Sequence, residues 1–203
     1  ELAFIAELIQ RHDCYAICDE VYEHLTFDQK EHLSLATRPS LAERAVIVSS
    51  FGKTFHITGW KVGYLICSAE LMREIHKVHQ FLVFSVNSIA QHALSAYLDR
   101  VDVNLLGSFY QQKRDLFNSG LKNSRFQFTP SQGTYFQNLD YSAIRPDLND
   151  VEMCSFLAEQ HGIVAIPISV FYQQVPENLR LIRFCFAKKD ETLEHAAAIL
   201  SAV

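Results

Sequence analysis

The chain is 203 residues long, 49% hydrophobic and 20% charged, which is enough to bury one sizeable core or a core and part of a second. Eighteen Lys and Arg against 23 Asp and Glu give a net charge of -5, without the basic excess by which nucleic-acid binders are recognised. No apolar run approaches the roughly twenty residues of a membrane helix, and seven glycines and five prolines are too few for a linker or a disordered tract, so a globular chain with neither nucleic acid nor membrane as partner is expected.

Glu1 to Arg11 has helical spacing, with Leu2, Ile5, Ala6 and Ile9 on one stripe. A chain that opens inside a helix, without a methionine, reads as a piece of a longer one. The apolar run Cys14-Tyr-Ala-Ile-Cys18 ends at Asp19-Glu20 and predicts a strand buried on both faces, as in parallel sheets flanked by helices. Ala45 to Val48, ending at Ser49-Ser50, and Val62 to Cys67 are two further strands. Glu70–Leu82, Ser88–Leu98 and Leu105–Leu121 read as helices. After Gly120 strands are expected at Thr134–Leu139 and Leu179–Phe186, and helices at Val151–Gln160 and Asp190–Ala202. The pattern predicts an α/β part over 1–104, then a connecting helix and a small α+β domain over 105–203.

Five cysteines (Cys14, Cys18, Cys67, Cys154, Cys185) are an odd number with no C-x-x-C pair, which points to a reducing, cytoplasmic compartment. His12, Cys14 and Cys18 lie close together, and His76 and His79 are three apart on a predicted helix. Neither group has a second ligand pair at a metal-site spacing, so no metal is expected.

The chemistry concentrates in Ser49-Ser-Phe-Gly-Lys-Thr-Phe-His-Ile-Thr-Gly-Trp-Lys61-Val-Gly63. It follows a predicted strand, where sites of open α/β sheets lie. Gly52-Lys53-Thr54 matches the tail of a P-loop, but Ile47 stands where that motif needs a glycine. Ser50-x-x-Lys53 matches the S-x-x-K of penicillin-recognising hydrolases, whose Lys-Thr-Gly element is missing. The third reading is pyridoxal phosphate chemistry. It needs a lysine for a Schiff base, an acid for the pyridine nitrogen, and cations or hydroxyls for the phosphate. Lys53, Asp19, Ser50 and Lys61 supply these types after successive strands, with Tyr22 three residues beyond Asp19. Taken singly, each has an ordinary explanation as a cap, a solvated lysine or a core tyrosine.

The ordered set Asp19-Glu-Val-Tyr22, Ser50-Phe-Gly-Lys53, Gly59-Trp-Lys61-Val-Gly63 and Ile182-Arg183-Phe-Cys-Phe-Ala187 resembles the class I/II aminotransferases of pyridoxal-phosphate fold type I. More narrowly it resembles their kynurenine, glutamine and methionine branch, to which Pro130–Phe136 and Ala165–Phe171 are similar as well. The resemblance runs over essentially the whole chain. It implies that 1–104 is the remainder of a large cofactor-binding domain with a mostly parallel sheet, and that the chain is the carboxyl-terminal half of an enzyme. It further implies pyridoxal 5'-phosphate as cofactor, amino acid and 2-oxo acid as substrates, and a homodimer. Lys53 would carry the cofactor and shuttle a proton, Asp19 pair with the ring nitrogen, and Tyr22 donate to the ring oxygen. Ser50 and Lys61 would hold the phosphate and Arg183 the substrate carboxylate. Phe84-Ser-Val-Asn87 resembles the segment that lines the partner subunit's site, which assigns Ser85 and Asn87 there.

There are departures. Lys61 stands where the wider class has arginine, and His56 where it prefers a small or aliphatic residue. Arg180 and Arg183, three apart, should point to opposite faces of a strand, one inward and one exposed, and the resemblance implies that Arg183 is the inward one. A C-S β-lyase on the same fold, or a non-catalytic binding module, are the rival functions.

Overall fold

In the computed structural model, which describes residues 1–203, the N-terminal apolar stripe closes as helix α1 (Leu2–Arg11). Its Ala6 and Ile9 bury against Leu35, Leu41, Ala45 and Ile47. The last two belong to β2 (Ala45–Ser50), which pairs in parallel with β1 (Ala16–Asp19), Ala16 opposite Ala45 and Asp19 opposite Val48. On the other side of β2 runs β3 (Gly63–Ile66), antiparallel, with Ser50 opposite Gly63. The three-stranded sheet in this chain is therefore mixed.

Within this chain β1 shows one of the two covered faces expected of it. It is covered on one face only, where Ala16 and Cys18 meet the α1 cluster. Successive side chains alternate across a strand, and Ile17, on the other face, is 79% exposed.

Helices α3 (Ala69–Leu82) and α4 (Ser88–Leu98) begin at Ser68 and Asn87, whose side chains accept the backbone N–H of Leu71 and Ala90. Such N-caps are typically worth about 1 kcal/mol. Between β2 and β3 lie a short helix, α2 (Phe51–Thr54), and a 3-10 turn over Thr58–Trp60. Four residues are too few for a periodicity to register, so neither was foreseen.

The contacts group Glu1–His24 and Glu31–Leu106 into one compact unit, and Leu25–Lys30 with Gly107–Val203 into a second. The second unit has an antiparallel sheet in the order β4 (Phe136–Asp140), β6 (Leu181–Cys185), β5 (Ile166–Pro167). Helices α5 (Leu105–Gly120), α6 (Asp150–His161) and α7 (Asp190–Ala202) accompany it. Its core includes Phe117, Leu139, Leu157, Ile182, Phe184 and Leu193. Helix α6 opens on a full capping box between Asn149 and Glu152.

Leu25–Lys30 joins this second unit through strand-like pairing. Phe27 N–H reaches the Gln132 carbonyl at 3.0 Å, and Thr134 N–H reaches that of Leu25 at 2.9 Å. Arg114, 3% exposed, then grips Asp28 with both terminal nitrogens at 2.7 and 2.8 Å. That fork holds the Asp28 carboxyl below the usual carboxylate range.

Candidate functional site

The parallel pair β1 and β2 ends at Asp19 and Ser50, which places both at the carboxyl edge of the sheet. Asp19 is exposed, and its carboxylate accepts the Val21 N–H at 3.2 Å. The turn that follows carries Tyr22, partly buried.

Ser50 sits where β2 becomes α2. Its hydroxyl accepts the Gly52 N–H at 3.0 Å and donates to the Val62 carbonyl at 3.4 Å. The same carbonyl takes the Phe51 N–H at 3.2 Å, so the residue after Lys61 is tied to the end of β2. The approach is close. A Cβ on Gly63 would lie 2.5 Å from the Ser49 carbonyl oxygen, and one on Gly52 would lie 3.1 Å from both the Ser50 hydroxyl and Thr58 Cα. Glycine at 63 lets these backbones meet, and a side chain at 52 would require its neighbours to shift by a few tenths of an ångström. Phe51, Phe55 and Ile57 pack against Val62, Ala90 and Leu94 and so anchor the corner on α4.

Lys53 is half-buried within α2. Lys61 is exposed and left-handed, with φ 55°. His56 is also left-handed, with φ 58°, a region where histidine is enriched over most side chains. The corner thus brings Ser50, Lys53 and Lys61 together, with Asp19 and Tyr22 at the end of the adjoining strand.

Ser85 and Asn87 lie elsewhere in the first unit, between α3 and α4. Asn87 caps α4, and the Ser85 hydroxyl donates to the Val86 carbonyl at 3.3 Å.

Arg183 belongs to the second unit, on β6 between Asn138 of β4 and Ile166 of β5. The core face of β6 is that of Ile182 and Phe184, and Arg183 stands half-buried on the opposite face. Its guanidinium lies 4.3 Å from the Phe136 ring centroid and 4.5 Å from that of Phe171. Nε is buried without a hydrogen-bond partner. A guanidinium beside two rings, with no carboxylate of this chain paired to it, is of the type that takes a carboxylate. Arg180 departs from expectation. It is not a free surface residue, since Nε donates to the Pro146 carbonyl at 3.0 Å and Nη1 to that of Leu179 at 2.9 Å.

Motif reading missed one group. Glu23 accepts the hydroxyls of Ser49, at 2.7 Å, and Tyr64. Burial works to raise its pKa, but these hydrogen bonds and the nearby His24 and His32 outweigh it and hold the carboxyl below its ordinary value. Burial and the same carboxylate push the Tyr64 phenol up.

The donor set fits pyridoxal 5'-phosphate. It offers a primary amine for a carbonyl carbon, a carboxylate at a strand end for a ring N–H, and a hydroxyl with an ammonium for a phosphate. The profile of the family described as aminotransferase class I and II matches residues 1–200. The methionine aminotransferase of Escherichia coli (strain K12) is 49% identical over 97% of this chain and 51% of that protein. The kynurenine–oxoglutarate transaminase of Dictyostelium discoideum is 36% identical over 97% of this chain and 50% of that one. Among solved structures, YbdL from Escherichia coli, described as having a methionine aminotransferase function, superposes with a TM-score of 0.94 at 48% identity. It is matched over 100% of this chain and 53% of that one. The chain spans about half the length of the curated relatives it matches.

Proposed function

From the premise that this chain belongs to the aminotransferase class I and II family, we propose that it serves a cytoplasmic enzyme that moves an amino group between an amino acid and a 2-oxo acid. The amino donor is of the methionine, glutamine or aromatic type, and the cofactor is pyridoxal 5'-phosphate. The observation that carries this reading is the β2–α2–β3 corner, which sets Ser50, Lys53 and Lys61 beside the strand end bearing Asp19.

When bound, the cofactor supplies a conjugated ring that takes up the electrons released at the substrate α-carbon. Asp19 keeps a proton on the ring nitrogen, because a carboxylate beside it favours the charged form. Tyr22 donates its hydroxyl to the ring oxygen. Ser50 and Lys61 bind the phosphate, Lys61 as a point charge and not as a fork. Lys53 anchors the cofactor and then moves a proton at the α-carbon. Arg183 orients the substrate by its carboxylate.

The test is turnover by the full-length protein. Methionine plus a 2-oxo acid should yield the new amino acid, with a change in cofactor absorbance on adding methionine alone. Release of pyruvate, ammonia and a thiol from a cysteine conjugate, with no use of a 2-oxo acceptor, would point instead to a β-lyase. A colourless protein inert in both assays would favour a binding module.

The same reading includes a homodimer in which Ser85 and Asn87 reach the neighbouring subunit's site. Supporting it, Phe81, Leu82, Phe84 and Ile89, around the connection between α3 and α4, are exposed, and large apolar side chains left exposed together in sequence suit an interface. Phe81→Asp combined with Phe84→Asp should convert a dimer to a monomer in sedimentation velocity. A dimer that survives both charges would exclude this face.

A further inference from the structure

We propose that Glu23 is a positioning residue for the cofactor pocket: it clips the turn that carries Tyr22 to the ends of β2 and β3, so that Tyr22 keeps a fixed place relative to the Ser50–Lys53 corner. The inference rests on the cofactor reading above.

Glu23 directly follows Tyr22, and its Oε1 takes hydroxyl hydrogens from two strands at once, Ser49 of β2 at 2.7 Å and Tyr64 of β3. Those two residues are cross-strand partners. Ser49 is 3% exposed and immediately precedes Ser50. One carboxylate oxygen therefore joins the post-β1 turn, the end of β2 and the start of β3.

The other end of the turn is held by Glu20. Its N–H continues the parallel ladder to the Val48 carbonyl at 2.8 Å. Its carboxylate accepts the Ser34 hydroxyl at 3.0 Å and the Leu35 N–H at 3.2 Å, with His32 Nε2 at 2.7 Å. Asp19 precedes this double clamp and Tyr22 lies inside it.

Apolar packing would close such a turn as stably, because taking a carboxylate out of water costs free energy that its donors only offset. What a carboxylate adds is direction. Two hydroxyls aimed at one oxygen set where the turn sits against the strands, and that spacing decides whether a phenol at Tyr22 meets a ring seated on Lys53.

The experiment measures pyridoxal phosphate binding to the full-length apoenzyme by fluorescence, and the visible circular dichroism of the bound cofactor. Glu23→Ala should raise Kd about tenfold and alter the dichroism as Tyr22→Phe does. The Glu23→Ala/Tyr22→Phe pair should be no worse than about the poorer single variant, because both act on one contact. Glu23→Gln keeps an oxygen able to accept both hydroxyls and should restore Kd to within about threefold. Tyr64→Phe removes one donor and should fall between, which keeps the test open if Glu23→Ala folds poorly.

Additive losses in the double variant would overturn the proposal. So would a Gln variant as weak as the Ala variant, with binding tracking a fall in apoenzyme Tm. A wild-type protein that binds no cofactor would overturn the functional reading itself, and that arm is read before any variant is compared.

Discussion

Replacing Lys53 by alanine in the full-length protein is expected to lower kcat/KM by at least about 10⁴-fold, since it removes both the cofactor's anchor and the base at the α-carbon. Lys53→Arg should be equally inactive, because a guanidinium stays protonated and cannot add to a carbonyl. In the wild type, borohydride reduction should fix a pyridoxyl phosphate label on the peptide that contains Lys53. The structure separates Lys53 from the other lysines of the first unit. It is half-buried in α2, one turn from Ser50. Lys61 is exposed on a left-handed residue. Lys77 lies on α3, paired with Glu74 at 2.7 Å in an exposed i,i+3 pair. A label recovered on Lys61 or Lys77 would reject the assignment, whatever the variants do.

The long helices were legible because their signals are local. The stripe of α1 and the helical spacing of α3, α4 and α5 are read within a few turns of chain. What escaped the sequence is non-local. Glu23 meets Ser49 and Tyr64 across 26 and 41 residues, and no spacing rule connects those positions. Leu25–Lys30 pairs with residues near 133, although its own composition gives no sign of a strand, and its partner Arg114 is 86 residues away from Asp28. β5 is two residues, Ile166–Pro167, held by β6 alone. A dipeptide has no periodicity to recognise, and proline is normally read as a strand breaker. β1 is a different case. Its apolar run implied cover on both faces, yet in this chain only the Ala16 and Cys18 face has a partner. For the site, residue type and order nominated Lys53, Asp19, Ser50 and Lys61, whose roles are what the variants test. The backbone reasons for that order, Gly63 against the Ser49 carbonyl and His56 in a left-handed turn, needed coordinates.

Arg183→Ala is expected to raise KM for every amino and oxo acid by about 10²–10⁴-fold, the loss of two charge-assisted hydrogen bonds at roughly 1.5–3 kcal/mol each. The fall should appear in KM before kcat, and borohydride should still label Lys53, since the cofactor's anchor is untouched. The size of the effect follows from how the guanidinium is held. The Phe136 and Phe171 ring centroids lie 4.3 and 4.5 Å from it, which limits its freedom, and its buried Nε has no partner. A substrate carboxylate would meet the guanidinium at its terminal nitrogens. Arg183→Lys should therefore recover little, because an ammonium neither stacks between two rings nor makes a two-point contact. Arg180 is the control, and the structure changes what it should show. Its hydrogen bond to the Pro146 carbonyl ties the start of β6 to the loop before α6, so Arg180→Ala should lower Tm while KM stays within about twofold of wild type. If instead Arg180→Ala raised KM and Arg183→Ala left it unchanged, the orphaned Nε between the two rings would be a packing feature and the carboxylate site would lie elsewhere.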